Sequence, residues 1–232
     1  MPKANTYKLR NKRRPDFHKN VVYFSTCANR AFRQNQGYDD TRSLQQVFES
    51  LCEKAGYNVI YPPHIENLCC GLSFENYEDI DRQALADLTA ALTKASEGGI
   101  YPIVIDHSAC FNHAFKHIKG LQILDISEFL YSILPDLEVT KCNESVLVHK
   151  QCKVKVLGKQ KYIELLARAC TDKVFNIKSF ACDGFAGQKG FFTPELNKCA
   201  TKDLAAEVKE YGCTLGVSSS STCEIGLGEN GG

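Results

Sequence analysis

Two thiols stand side by side in Leu68-Cys69-Cys70-Gly71-Leu72. A related stretch, Ala181-Cys182-Asp183-Gly184-Phe185, keeps the glycine and has aspartate where the second cysteine would be. Neighbouring side chains on an extended backbone point to opposite faces, so both thiolates reach one site only where the chain bends. Glycine supplies the bend by accepting φ > 0, and its missing Cβ lets backbone approach the site. A single tetrahedral zinc strains to take adjacent ligands, and the CxxC spacer usual for zinc is absent. An iron–sulfur cluster presents several metal corners, so adjacent thiolates can bind different irons. The expectation is an iron–sulfur cluster, with zinc or a redox disulfide left open beside it.

Both stretches belong to longer series. VVYFSTC carries a short apolar run into Cys27, and VLVHKQC carries another into Cys152. From Cys69 to Cys110 is 41 residues, and from Cys182 to Cys223 is also 41. The preceding intervals differ, 42 from Cys27 to Cys69 against 30 from Cys152 to Cys182, and an insertion around 34–40 would absorb part of the difference. Equal spacing, the same order of elements and the same glycine indicate an internal repeat. One constellation is Cys27, Cys69, Cys70 and Cys110. The other is Cys152, Cys182, Asp183 and Cys223, with Asp183 offering an oxygen ligand or only a charge and acceptor. Backbone amides around Gly71 and the serines near Cys110 and Cys223 are the available hydrogen-bond donors. Cys52, Cys142, Cys170, Cys199 and Cys213 are left over and read as structural; Cys52, Cys170 and Cys199 fall in helices and fit core packing.

The elements that must position these residues alternate. Strand signals cover 21–24, 57–61, 101–106, 146–149, 173–177 and 214–219, and a strand–helix pair covers 121–134. Helix signals cover 40–55, 77–96, 159–170 and one or two segments within 193–211, with Thr193 as N-cap and Pro194 at the first helical position. A short helix starts near Cys110. Such alternation predicts an α/β fold of parallel sheets, in which ligands gather at the carboxyl ends of the strands. The division expected is 1–20 as a basic tail or linker, 21–140 as the first unit and 141–232 as the second.

Composition sets the class. A chain of 232 residues with 44% apolar and 24% charged residues can bury a real core. A net charge of +1 gives no argument for nucleic acid. No apolar run approaches the ~18–20 residues of a membrane span, and Met1 is followed by polar, basic residues rather than a secretory signal. Twelve cysteines without an export signal point to metal or redox chemistry in a reducing, cytoplasmic compartment. Three other motifs invite chemistry and fall short. Cys110, His113 and His117 share a helical face that suits zinc, but exposed or cap-bonded histidines account for them. Gly226-Leu227-Gly228-Glu229-Asn230-Gly231 matches GxGxxG without the helix that a dinucleotide site needs after it. Gly184 to Gly190 is glycine-rich, but its lysine is followed by glycine rather than Ser or Thr, so it is not a phosphate loop.

VVYFSTCANRAF, LCEKAGYNVIYP, LCCGLSF, PIVIDHSAC, ACDGFAGQKGFFTPEL and SSSSTCEIGL together resemble the cysteine-rich CCG-domain family. That family includes the CCG-bearing subunit of heterodisulfide reductases and the iron–sulfur subunit of glycolate oxidase. The nearer resemblance is to the C-terminal region of FAD- and iron–sulfur-containing D-lactate dehydrogenases, over about residues 20–228. The resemblance implies two pseudo-repeated βαβ, Rossmann-like units. Their cysteines hold an iron–sulfur cluster or zinc and serve electron transfer or disulfide chemistry. It implies Cys27, Cys69, Cys70 and Cys110 as ligands in the first unit and Cys152, Cys182 and Cys223 in the second. Electrons would come from FAD on another domain or subunit and go to a cytochrome or quinone, with peripheral contact at the inner face of the membrane left open. The departures are His107 and Ser220 where the family often has the first cysteine of a final CxxC, and Asp183 in the second CCG. No flavin domain or ferredoxin-type cysteine run is present, so the chain is expected to be a fragment or a separate subunit, without a site of its own for hydride abstraction.

Overall fold

In the computed structural model, residues 2–12, 14–33, 40–187 and 189–231 are described. They form two compact units, 2–137 and from 138 onward. The insertion expected around 34–40 lies, except for Asp40, outside the described residues.

The first unit runs β1 (Lys19–Phe24), α1 (Cys27–Ala31), α2 (Leu44–Lys54), β2 (Tyr57–Ile60), α3 (Glu78–Ala95), β3 (Ile103–Ile105), α4 (Ser108–His117), β4 (Ile123–Asp125) and α5 (Ile126–Ile133). Its sheet is parallel in the order β2-β1-β3-β4. The two inner strands are covered on both faces: Val21 to Phe24 and Ile103 to Ile105 are 0% exposed. That burial matches their unbroken apolar runs. Phe48, Leu88, Leu92, Phe111 and Phe129 fill the layers around them, and Tyr23 stacks on Phe48 at 4.1 Å. Helix α2 begins in a capping box, with the Gln46 amide donating to Ser43 Oγ and the Ser43 amide to Gln46 Oε1. Helix α3 places Glu78, Asp79 and Asp81 in its first turn and Lys94 in its last, complementing the helix dipole.

The stretch expected to be a tail packs with this unit. Asn5 Nδ2 donates to Gln45 and to the Asn29 carbonyl, Tyr7 Oη to Glu49 at 2.7 Å, and the Arg14 amide to Asn58 Oδ1 at 2.8 Å. Its charge alone favours a solvated segment; the interspersed Asn and Tyr side chains anchor it.

The second unit runs β5 (Val146–His149), α6 (Cys152–Lys155), α7 (Lys161–Cys170), β6 (Val174–Asn176), α8 (Lys189–Phe192), α9 (Pro194–Ala200), α10 (Leu204–Tyr211), β7 (Leu215–Ser218) and α11 (Ser221–Asn230). Its parallel sheet has the order β6-β5-β7. This is β2-β1-β3 over again, so the repeat read from cysteine spacing is a repeat of topology. The core is smaller, with Val146, Val148, Ile163 and Ala167 packed by Val174, Leu215 and Val217. Thr193 stands at the N-cap of α9 and Pro194 opens the helix, both as expected, but the Thr193 hydroxyl turns back to the Lys189 carbonyl and makes no side-chain capping bond.

Gly226 and Gly228 lie inside α11, and Gly231 is its C-cap. A Cβ on Gly226 would come within 2.6 Å of the Phe185 ring and of Asn197, so this glycine serves close packing of the helix. Among the described residues no helix is long and apolar enough to cross a membrane.

Candidate metal centre

In the first unit each of three strands delivers a thiol at its carboxyl end. Strand β1 leads through Ser25 and Thr26 to Cys27, β2 leads to the Cys69-Cys70-Gly71 loop, and β3 leads through Asp106 and His107 to Cys110 on α4. Strand order reverses across β1, with β2 on one side and β3 on the other, which is where α/β sheets open a crevice for ligands.

The four predicted cysteines lie neighbour to neighbour, with thiol hydrogen bonding paired as Cys27 with Cys69, Cys69 with Cys70, Cys70 with Cys110, and Cys110 with His107. Hydrogen bonds from Cys27 and Cys70, then the Gly71 amide and the Arg30 charge, hold Cys69 far below the ordinary thiol range, against burial. Cys27 is the most open of the four, yet its hydrogen bond to Cys69 pushes its thiol well up. Cys70 keeps its proton between the Cys110 and Cys69 sulfurs. The Cys70 hydrogen bond lowers Cys110, and His107 lowers it further. Burial alone would push the His107 imidazolium down, but the hydrogen bond to Cys110 and that sulfur's charge outweigh it and raise it.

The CCG loop is built as the glycine implied. Gly71 has φ 88°, and a Cβ there would collide with the Asp81 carboxylate. Its amide donates to Cys69 Sγ at 3.4 Å, and the Leu72 amide to Cys70. Asp81 in turn meets His113 Nε2 at 2.9 Å, and His113 lies 4.7 Å from the His117 ring. Cys110 faces Cys70 instead, so the Cys110–His113–His117 face is divided between two partners. Ser108, one of the expected serine donors, is taken by Asp125 at 2.7 Å.

Two residues at this site carried no motif. Arg30, half-buried on α1, donates to the Ser25 carbonyl at 2.7 Å and the Leu68 carbonyl at 2.8 Å, tying the Cys27 turn to the CCG loop. Its charge lowers both Cys27 and Cys69. Asp106 accepts from Thr26 N at 2.9 Å, Thr26 Oγ1 at 2.8 Å and Tyr23 Oη at 2.8 Å, and its carbonyl accepts from Asn29 at 3.0 Å. It locks the turn before Cys27 to the turn before Cys110. The sequence signals available for them were CANRAF, which places a cation three residues after Cys27, and a lone acid closing an apolar strand.

The second unit repeats the plan with other donors. Cys152 meets Cys182, and Cys223 meets Asp183 while feeling the Cys152 charge. Gly184 has φ 72°, with the Leu196 carbonyl 3.0 Å from where a Cβ would stand. Asp183 is 2% exposed and its Oδ2 has no hydrogen-bond partner, so one carboxylate oxygen is buried unsatisfied at the site. Burial, then the Asp183 charge, pushes the Cys223 thiol well up. Ser220 Oγ accepts the Cys223 amide at 3.5 Å as the N-cap of α11, and its hydrogen bond to the Cys223 thiol opposes that rise. Asn197 donates to the Asp183 carbonyl at 2.6 Å and accepts from Asn230, linking the loop to the helix of Cys223. Glu207 on α10 accepts the Lys178 and Ser179 amides at 2.7 and 3.1 Å and fixes the approach to Cys182.

Of the leftover cysteines only Cys52 is buried; Cys142, Cys170 and Cys199 are exposed and Cys213 half-buried. Cys170 and Cys199 therefore depart from the packing role expected of them. Cys170 is the last residue of its helix, beyond the Ile163 and Ala167 contacts, and α9 buries Asn197 rather than Cys199.

The donors of the first unit are soft sulfurs spread along a series. Among the described residues no three Cys, His, Asp or Glu side chains converge as a cage for one metal ion. Cysteine thiolates with amide donors to sulfur are the chemical groups that hold and tune iron–sulfur clusters. Compared with known proteins, the chain matches no family model and no curated protein.

Proposed function

We propose that this chain is an iron–sulfur electron-transfer module. It would work with a flavin-containing dehydrogenase domain or subunit that oxidises a D-2-hydroxy acid such as D-lactate, passing electrons towards a cytochrome or quinone. The observation that carries the reading is the delivery of Cys27, Cys69, Cys70 and Cys110 from the carboxyl ends of three neighbouring parallel strands. The motif resemblance supplies the partners and the substrate class.

Those four cysteines would hold the cluster, and a bound cluster supplies reversible one-electron transfer. The chain's own residues set its environment. Arg30 offsets thiolate charge from one side and the His107 imidazole does so beside Cys110. The Gly71 and Leu72 amides donate to the sulfurs, which favours the more negative state and tunes potential. In the metal-free chain Cys27 and Cys70 keep protons that metal must displace, so loading weakens as pH falls. In the second unit Cys152, Cys182 and Cys223, with Asp183 as an oxygen donor, would hold a second centre. The reading puts the chain in the cytoplasm, where reducing conditions keep thiols available.

One observation favours a second reading, a thiol–disulfide module of heterodisulfide-reductase type. Cys69 stands beside Cys27 and Cys70, whose hydrogen bonds lower its thiol, as an attacking thiol stands beside a resolving one. Anaerobic reconstitution separates the readings. Iron with acid-labile sulfide and visible absorbance, lost in Cys69→Ser and Cys70→Ser, is the expected result. Iron and sulfide unchanged in both variants would falsify the assignment. Zinc without sulfide would point to a metal-holding scaffold, and dithiol-dependent disulfide reduction by metal-free protein to the second reading.

A further inference from the structure

Two of the exposed cysteines that serve neither constellation lie together. Strands β5 and β6 pair Val146↔Val174, Leu147↔Phe175 and Val148↔Asn176, a constant offset of 28 residues. The same offset, carried back before the strands, takes Cys142 to Cys170. The two segments stay zipped over that interval. The Cys142 amide donates to the Cys170 carbonyl at 2.8 Å, Thr171 Oγ1 to the Glu144 carbonyl at 2.7 Å, and the Val146 amide to the Lys173 carbonyl at 2.8 Å. Lys141 and Asp172 form an ion pair on the outer side. A direct amide–carbonyl bond holds neighbouring backbones with Cα atoms about 5 Å apart. That is inside the range of about 4.4–6.8 Å that a disulfide spans. Burial and then the Cys142 charge raise the Cys170 thiol. Both residues are exposed to an oxidant in solution.

We propose that Cys142 and Cys170 are a redox pair that closes into an intrachain disulfide when a low-molecular-weight disulfide such as oxidised glutathione accumulates. One cysteine thiolate attacks the oxidant, displacing one glutathione thiolate and forming a mixed disulfide. The second cysteine thiolate attacks that bond and displaces the other glutathione. The protein loses two protons and two electrons, and one oxidised glutathione becomes two reduced molecules. The loop so closed contains β5, Cys152, α6 and α7, so the disulfide ties the start of the second unit to the end of α7 and restricts its unfolded state. This site is separate from the proposed cluster ligands, and its chemistry does not depend on them.

The full chain is equilibrated in glutathione buffers of graded ratio, blocked with N-ethylmaleimide and digested without reductant. The expected product is a linked peptide pair carrying Cys142 and Cys170, two hydrogens lighter than the sum of its parts and restored by reductant. Oxidation should also raise the Tm of the second unit by roughly 10 °C or more. Cys142→Ser and Cys170→Ser should each lose the linked pair and the Tm rise, with metal content unchanged. The proposal is overturned if both cysteines remain singly blocked in fully oxidised buffer. It is equally overturned if each carries a stable glutathione adduct, or if either pairs with Cys152 instead.

Discussion

Gly71 concentrates the residue-scale problem. It must turn the chain at φ 88° so that two adjacent sulfurs serve one site, and it must let the Asp81 carboxylate sit where any side chain would start. Gly71→Ala meets both demands at once. Left-handed strain costs about 1 kcal/mol and displacing a carboxylate that holds His113 costs at least as much again. The expected loss is about 2 kcal/mol or more, read as a lower urea midpoint, together with reduced iron loading at equal protein concentration. Asn at the same position tolerates the backbone better and still meets Asp81, so it should be no better than alanine in iron loading. An alanine variant that matches the parent in both measurements would show that the loop does not depend on this turn. The glycine and both thiols were legible in the sequence because their chemistry is local. Arg30 was not, because its role lies in reaching the carbonyl of Leu68, 38 residues away, and no local pattern encodes that contact.

At the scale of elements the sequence is most legible where apolar runs end at cysteines, since a doubly covered parallel strand has few alternatives. Strand β5 falls on the four residues expected, and α3 and α7 differ from expectation by one or two residues at their ends. The leftover cysteines are less legible because a helical position does not say which face is covered at a helix's last turn. What joins elements is also invisible, and Asp106 is the main instance. Its carboxylate holds three donors from β1 and the turn before α1, so the strand end that delivers Cys110 also fixes the one that delivers Cys27. Asp106→Ala leaves the Thr26 amide, its hydroxyl and Tyr23 Oη buried without that acceptor, an expected cost of about 3 kcal/mol. Asp106→Asn keeps one oxygen for Thr26 and offers Tyr23 an amide donor in place of an acceptor, and should cost about 1 kcal/mol. Chemical denaturation of the two variants checks the order; equal losses would mean that charge, not geometry, is what the site needs.

The whole molecule holds its metal-free thiols in two opposed states, and pH should reveal them. Cys27, Cys52 and Cys70 in the first unit and Cys223 in the second are raised above the ordinary thiol range; for Cys52 and Cys223 burial is the leading cause. A raised group binds its proton more tightly folded than unfolded. Its stabilisation is therefore complete below the unfolded thiol pKa of about 8.5 and is lost as pH climbs through that value towards the folded one. Cys69 and Cys110 are depressed by their hydrogen bonds, so their stabilisation is present above about 8.5 and lost as pH falls towards their folded values. The two sets favour different sides of 8.5, and the raised set is larger and spread over both units. The urea midpoint of the metal-free, reduced chain should therefore fall from pH 7.5 to pH 10 in both units, and fall again on acidification chiefly in the first. Cys69→Ser removes a depressed thiolate and should flatten the acid limb alone. Tyrosine ionisation followed at the same time separates the alkaline contribution of Tyr23 and Tyr61, which burial also raises. A midpoint unchanged across pH 7.5 to 10 would mean that the buried thiols ionise as freely folded as unfolded.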